Sequence, residues 1–207
     1  AGGPAVGRAL VESERTHVVA FTGSVAAARA VGTACAERFK PCLLEAGGSD
    51  ALIVSDKAPL EVAIAGSVTA AFHLSGQICT SAERFFVVDE IHDRFVDELV
   101  ARAERIRMGG PFDEKAETGP LISAEHREKV EAYVARAVEQ GATLRTGGRR
   151  PADGELANGF YYPPTILDGC DPAMDCVHDE SFGPVLTVET FRGADEAAAD
   201  DAAVAIA

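Results

Sequence analysis

Basic residues are scarce. Nineteen Lys and Arg stand against 33 Asp and Glu in 207 residues, a formal net charge of −14 at pH 7. Nucleic acids and anionic membrane surfaces are recognised through basic patches, so neither is expected as a partner. No apolar run reaches the length of a bilayer span, and no secretory signal pattern is visible. The five cysteines (Cys35, Cys42, Cys79, Cys170 and Cys176) are odd in number and irregularly spaced, with no Cys-x-x-Cys and no His pair at zinc spacing. That usage suits a reducing cytoplasm and argues against a structural metal. There is no internal repeat. Only the Asp195–Asp201 stretch is locally acidic, and its alanines read as a solvated helix face more than as a tail. The chain opens Ala1-Gly2-Gly3-Pro4 without a methionine, which reads as a segment of a longer protein.

What is present is an ordinary globular composition, 47% apolar and 25% charged, with length for one full domain or parts of two. Strands alternate with helices, which predicts an α/β class with largely parallel sheets. A short helix is expected over 6–11, followed by a buried strand over 17–21 that stops at Thr22-Gly23-Ser24. Ser24 can cap an Ala-rich helix over 25–39, and the free N–H groups of that helix start offer a site for a phosphate, though many such turns bind nothing. A second strand over 40–45 ends on Glu45 and is released by Ala46-Gly47-Gly48. Parallel sheets place functional groups at such strand ends, but a Glu there can equally just reach solvent.

A short strand over 51–54 precedes a small-residue, apolar run over 60–74, expected as a helix buried on nearly every face and broken by Gly76. In Ser75-Gly76-Gln77-Ile78-Cys79-Thr80-Ser81 the Cys79 thiol sits on a turn between that helix and a strand over 84–88. A turn of this kind presents a nucleophile; the same cysteine could also simply pack. An amphipathic helix follows from Ile91 through Ala103, ended by Gly109-Gly110-Pro111. Ser123 caps another, with Val130, Tyr133, Val134, Ala137 and Val138 as its stripe and Gly141 as its stop. After a short strand over 142–146, residues 161–167 read as a strand pair broken by Pro163 and Pro164 and hence at a sheet edge, with Tyr161 and Tyr162 packing. Finally Asp179-Glu180-Ser181-Phe182-Gly183-Pro184 leads into a strand over 185–191. Its carboxylate could meet a sugar hydroxyl and its ring a flat ligand, or the segment could be a plain acidic loop over a buried Phe.

Phe21-Thr22-Gly23-Ser24, Glu45-Ala46-Gly47-Gly48, Gly76-Gln77-Ile78-Cys79 and Glu180-Ser181-Phe182-Gly183-Pro184 occur in this order and at these separations. Together they resemble the aldehyde dehydrogenase superfamily, over essentially the whole chain and somewhat under half of a typical member. The resemblance implies part of a Rossmann-type dinucleotide-binding domain over 1–47 and most of an α/β catalytic domain over 48–207. It implies Cys79 as nucleophile and Glu45 as the base for thioester hydrolysis. Gly23 and Ser24 would lie at the cofactor pyrophosphate, Glu180 at the nicotinamide ribose and Phe182 near the nicotinamide. NAD or NADP, an aldehyde substrate and a homo-oligomer of the full-length protein are implied likewise. Ala46 stands where Leu is usual, and Val25 and Ala28 replace Thr and Gly after the Gly-Ser turn. Ser49-Asp50 resembles some semialdehyde dehydrogenases. A coenzyme-A-acylating enzyme is a second reading, disfavoured by Glu45, which that chemistry does not need. A non-catalytic module is a third.

Overall fold

In the computed structural model, which describes residues 2–192, the chain divides between Gly48 and Ser49 into two compact units. The first is thin. Helix α1 (Pro4–Glu12), strand β1 (Val19–Gly23), helix α2 (Val25–Ala36) and strand β2 (Cys42–Ala46) follow one another, and β1 and β2 pair in parallel. Its buried apolar residues are Val11, Val19, Ala28 and Cys35, and Val31 and Ala34 pack on the cluster of Val11, Val19 and Cys35. Lys40 Nζ donates to the carbonyls of Val11 and Ser13 at 2.6 Å each. A cation thus meets the carbonyl end of α1, where the helix dipole favours it. Helix α2 stops at Ala36, short of the expected Phe39, which is instead left-handed (φ 51°) and 97% exposed. The strand expected over 40–45 begins two residues later, and β2 is exposed along its length.

The second unit is built on a five-stranded sheet in the order β3-β4-β7-β6-β5. Its strands are β3 (Asp50–Val54), β4 (Ala82–Val88), β5 (Thr143–Thr146), β6 (Thr165–Asp168) and β7 (Val185–Phe191). All neighbours run parallel except β5 with β6. Helix α3 (Leu60–Phe72) and helix α4 (His92–Ala103) pack with Phe85, Val87, Leu186 and Val188 into one core. Helix α5 (Ala124–Glu139) supplies Val130, Tyr133, Val134 and Ala137 to a second core that contains Tyr162, Leu167, Cys170, Cys176 and Val185. Ser123 caps α5, its hydroxyl accepting from the His126 N–H at 3.1 Å. No described helix is long and apolar enough to cross a membrane.

Several expectations need correction. Helix α3 ends at Phe72, not at Leu74, and it is buried on one face only, through Ile64, Ser67, Ala71 and Phe72. Its other positions mix Ala and Gly with Leu60, Val62 and Val68, and Val62 is 68% exposed, so apolar composition without a periodic contrast did not reveal which face packs. Helix α4 ends at Ala103, well before Gly109. Val138 is 43% exposed and lies outside the α5 stripe. The segment over 161–167 is not an edge strand pair. Only Thr165–Asp168 is a strand, and it lies inside the sheet between β7 and β5, buried throughout. Pro163 and Pro164 fall before its first ladder position, so their missing N–H groups interrupt nothing. The Asp195–Asp201 stretch lies outside the described residues.

A polar tie joins α4 to the far side of the sheet. His92 Nε2 bonds Asp168 Oδ1 at 2.9 Å, and Arg145 donates to Asp168 Oδ2 at 2.7 Å and to Asp97 at 2.6 Å. Burial lowers the His92 pKa, but the bonds to Asp93 and Asp168 outweigh it and hold the ring above its ordinary value. A group raised on folding adds stability that is complete below its unfolded pKa, about 6.5, and fades as pH rises through the folded value. The urea midpoint of His92→Gln should therefore fall below the parent's by more at about pH 5.5 than at about pH 9. A gap that is flat with pH, or widens toward alkaline pH, would contradict this role.

Candidate active site

The residues singled out from the sequence divide between the units, Gly23, Ser24 and Glu45 in the first and Cys79, Glu180 and Phe182 in the second. Cys79 is exposed on a turn closed by the Ser81 N–H donating to the Ile78 carbonyl at 2.9 Å. Between α3 and that turn the backbone runs left-handed three residues in succession, Leu74 (φ 50°), Ser75 (φ 58°) and Gly76 (φ 69°). Two of the three are not glycine, and each costs roughly 1–2 kcal/mol in that conformation. The compensation is visible. Ser75, 1% exposed, donates its hydroxyl to the Gly119 carbonyl at 2.7 Å and shares a 2.8 Å bond with the Thr118 hydroxyl. The Gln77 side chain accepts from the Ile122 N–H at 2.9 Å and donates to the Leu74 carbonyl at 3.2 Å. The thiol turn is thus pinned to the 118–122 segment. Nothing in the local sequence around Ser75 or Gln77 points to that role.

Gly76 meets the second turn. A Cβ on Gly76 would lie 2.0 Å from the Gly183 carbonyl oxygen and 2.5 Å from its carbon. The thiol turn and the Glu180–Pro184 turn therefore touch backbone to backbone. They do so because β4 and β7 are parallel neighbours and the two turns feed their starts on the same edge of the sheet. Phe182 is itself left-handed (φ 48°). Its carbonyl accepts from His126 Nε2 at 2.7 Å, and the two rings lie edge to face with centroids 6.0 Å apart. Glu180 is half-buried at the head of this turn.

One carboxylate that sequence reasoning passed over holds the turn from inside. Glu83, the second residue of β4 and 2% exposed, accepts from the Ser181 N–H at 2.7 Å, the Phe182 N–H at 2.9 Å and the Ser181 hydroxyl at 3.0 Å. Burial pushes its pKa up to about 7 against the opposing pull of those bonds. The available signal was a Glu inside a strand whose other residues are mostly apolar, Ala82-Glu83-Arg84-Phe85-Phe86-Val87-Val88. An ionisable residue there needs a buried partner. The partner, however, lies 98 residues downstream.

In the first unit the register pairs Thr22 with Glu45 and Gly23 with Ala46, so the ends of β1 and β2 coincide. The Gly47 N–H donates to the Gly23 carbonyl at 3.2 Å, extending the pairing past Glu45. Ser24 caps α2, its hydroxyl accepting from the Ala27 N–H at 3.3 Å. The N–H groups of Val25 and Ala26, both exposed, are left without carbonyls of their own helix. Gly23 is not left-handed, and a Cβ there would lie 2.7 Å from the tip of the Phe21 ring, a side-chain end that can turn aside.

A model of the aldehyde dehydrogenase family matches residues 1–203. The betaine aldehyde dehydrogenase of Bacillus subtilis (strain 168) is 46% identical over 194 residues, covering 94% of this chain and 40% of that protein. The protein of the same name from Brucella ovis is 41% identical over 191 residues, covering 92% and 39%. Among solved structures, betaine aldehyde dehydrogenase from Staphylococcus aureus in complex with NAD+ superposes with a TM-score of 0.90 at 35% identity, over 96% of this chain and 39% of that one. The chain thus spans about two fifths of the length of these relatives.

The contact between the turns gives a prediction with an internal control. Gly169 is left-handed like Gly76 (φ 64° against 69°), but a Cβ there meets nothing within 4 Å. Gly169→Ala should cost only the left-handed penalty, roughly 1–2 kcal/mol. Gly76→Ala should cost more by denaturant titration, because the Gly183 backbone has to move. Equal losses would mean that the two turns separate without cost.

Proposed function

This chain belongs to the aldehyde dehydrogenase family, and on that premise we propose that the protein carrying it oxidises an aldehyde to a carboxylic acid, with NAD as acceptor. The observation that carries the reading is the backbone contact of the Cys79 turn with the Glu180–Pro184 turn. It sets the turn that bears the exposed thiol against the segment assigned to the cofactor. Cys79 attacks the aldehyde carbon as a thiolate and forms a thiohemiacetal. The developing oxyanion is assigned to the Cys79 backbone N–H. Bound NAD supplies the hydride acceptor for oxidation to the thioester. Glu45 then takes a proton from the water that hydrolyses the thioester, and Cys79 is released.

The residues present fit a dinucleotide. The start of α2 offers unpaired N–H groups to a pyrophosphate, with Ser24 and Gly23 at its edge. In the second unit Glu180 can accept from a ribose hydroxyl. Phe182 is braced against His126 beside it. We assign the unit up to Gly48 as the end of a dinucleotide-binding domain and the unit from Ser49 as the catalytic domain. NAD is preferred to NADP because the Staphylococcus aureus structure is described as a complex with NAD+. Betaine aldehyde, for which the relatives are named, is the first substrate to try. Five cysteines that form no disulfide suit work in the cytoplasm, and a homo-oligomer is the assembly we expect of the full-length protein.

The roles separate kinetically. In the full-length protein Glu45→Gln should give one burst of NADH per site and then stall at the thioester, whereas Cys79→Ser should give none. Steady turnover of Glu45→Gln at the parent rate would remove Glu45 as the deacylation base. Cys35, Cys42, Cys170 and Cys176 should each tolerate Ala at a packing cost on the order of 1 kcal/mol or less, with NADH formation retained.

A further inference from the structure

We propose that Glu83 is a positioning residue for the cofactor: as a carboxylate it clamps the Ser181–Phe182 turn, and when it is neutral the turn that carries Glu180 and Phe182 loosens its hold on NAD. The proposal rests on the reading of that turn as the cofactor turn. The three groups around the Glu83 carboxyl all donate. Oε2 takes the Ser181 N–H, and Oε1 takes both the Phe182 N–H and the Ser181 hydroxyl. The ionised form accepts all three at charge-assisted strength, whereas a proton on either oxygen makes that oxygen a poor acceptor and adds a donor where every neighbour already donates. A proton on Oε1 could be passed only to the Ser181 oxygen, which would have to turn its own hydroxyl to the Gly183 carbonyl at 3.4 Å. That would weaken the bond to the Phe182 N–H. Phe182 is the residue that needs it, because a non-glycine side chain at φ 48° holds that conformation only while its neighbours fix it.

The same residue ties chemistry to binding. Glu83 lies four positions after Cys79 in the strand that the thiol turn enters, so the carboxylate and the Gly76–Gly183 contact brace the two turns at neighbouring points. The ionisable groups set against it are Glu180 on the turn and Tyr133 on α5. One is an acid and the other a phenol, and neither supplies a positive charge. His126 on α5 holds the other side of Phe182 through the carbonyl, and it accounts for the bond there in either of its Nε2-protonated forms. With burial pushing Glu83 up to about 7, the clamp changes state within the working range of an enzyme. The direction is fixed. Lower pH neutralises Glu83 and should weaken cofactor binding, and higher pH should restore it.

The test uses the full-length protein, with NADH formation and NAD binding followed from about pH 6 to about pH 9. The parent should bind NAD more weakly as pH falls through about 7. Glu83→Gln places an NH2 group against a backbone N–H. It should raise the KM for NAD roughly ten-fold at alkaline pH, the loss of about one charge-assisted bond, and flatten the pH step. Its kcat at saturating NAD should change much less. His126→Gln keeps a donor for the Phe182 carbonyl and should keep the step. Parent binding that is level across this range overturns the proposal, whether or not Glu83→Gln folds. So does a Glu83→Gln enzyme with the parent's KM and step, or a step lost in His126→Gln. A parent that forms no NADH from any aldehyde, or a Cys79→Ser variant as active as the parent, would instead overturn the underlying reading.

Discussion

Two backbone turns meet where there is no room for a single side-chain carbon, and much of the second unit depends on that approach. With the Gly183 oxygen 2.0 Å from where a Cβ of Gly76 would lie, position 76 must be glycine, and its left-handed φ is one that glycine adopts freely. The run from Leu74 to Gly76 is left-handed, so α3 has to stop at Phe72, two residues short of where its apolar composition would carry it. The strain at Leu74 and Ser75 is offset by a buried hydroxyl and an amide that fasten the turn to the 118–122 segment. The thiol then emerges on a fixed turn rather than a loose loop.

The opposite turn is held by a costlier device. A carboxylate buried at the start of β4, facing another acid and a phenol, is worth keeping only if its bonds matter. Its pKa raised to about 7 means that the folded state binds a proton more readily than the unfolded chain does between ordinary carboxylate values and neutrality. Ionised Glu83 therefore subtracts from stability at alkaline pH. Hydrogen bonds to Ser181 and Phe182 recover part of that cost and convert it into a defined turn. Local stability is given up where a left-handed, non-glycine turn must be shaped.

The first unit shows the opposite economy. Its core is little more than Val11, Val19, Ala28 and Cys35, and β2 is exposed from end to end. Yet it orders three of the motif positions with few contacts. One parallel pairing brings the ends of β1 and β2 level, so that Gly23 and Glu45 are released at the same edge, and helix α2 starts on Ser24. These positions lie at the carboxyl ends of the two parallel strands. In the second unit the two turns sit at the amino ends of β4 and β7 instead. They come together because those strands are neighbours.

Local signals were legible where a residue's neighbours in sequence are also its neighbours in space. The Ser24 and Ser123 caps, the stripe of α5 from Val130 to Ala137, the strand after Pro184 and the turn bearing Cys79 all depend on contacts a few residues apart. The four motifs named the family because their order is itself a sequence property. What failed was whatever depends on a distant partner. The segment before Thr165 read as an edge because proline excludes a central strand, but the prolines precede the ladder and β7 pairs with Thr165, Ile166 and Leu167 beyond them. Helix α3 read as buried all round because composition does not tell which face a sheet will cover. Glu83 went unread because its three donors lie 98 and 99 residues away. The sequence alone determined the family, through the order of its four motifs, and the turns that bear Cys79 and Glu180. Only the tertiary structure decided that the Cys79 turn and the Glu180 turn touch, because parallel pairing of β4 with β7 sets their starts side by side.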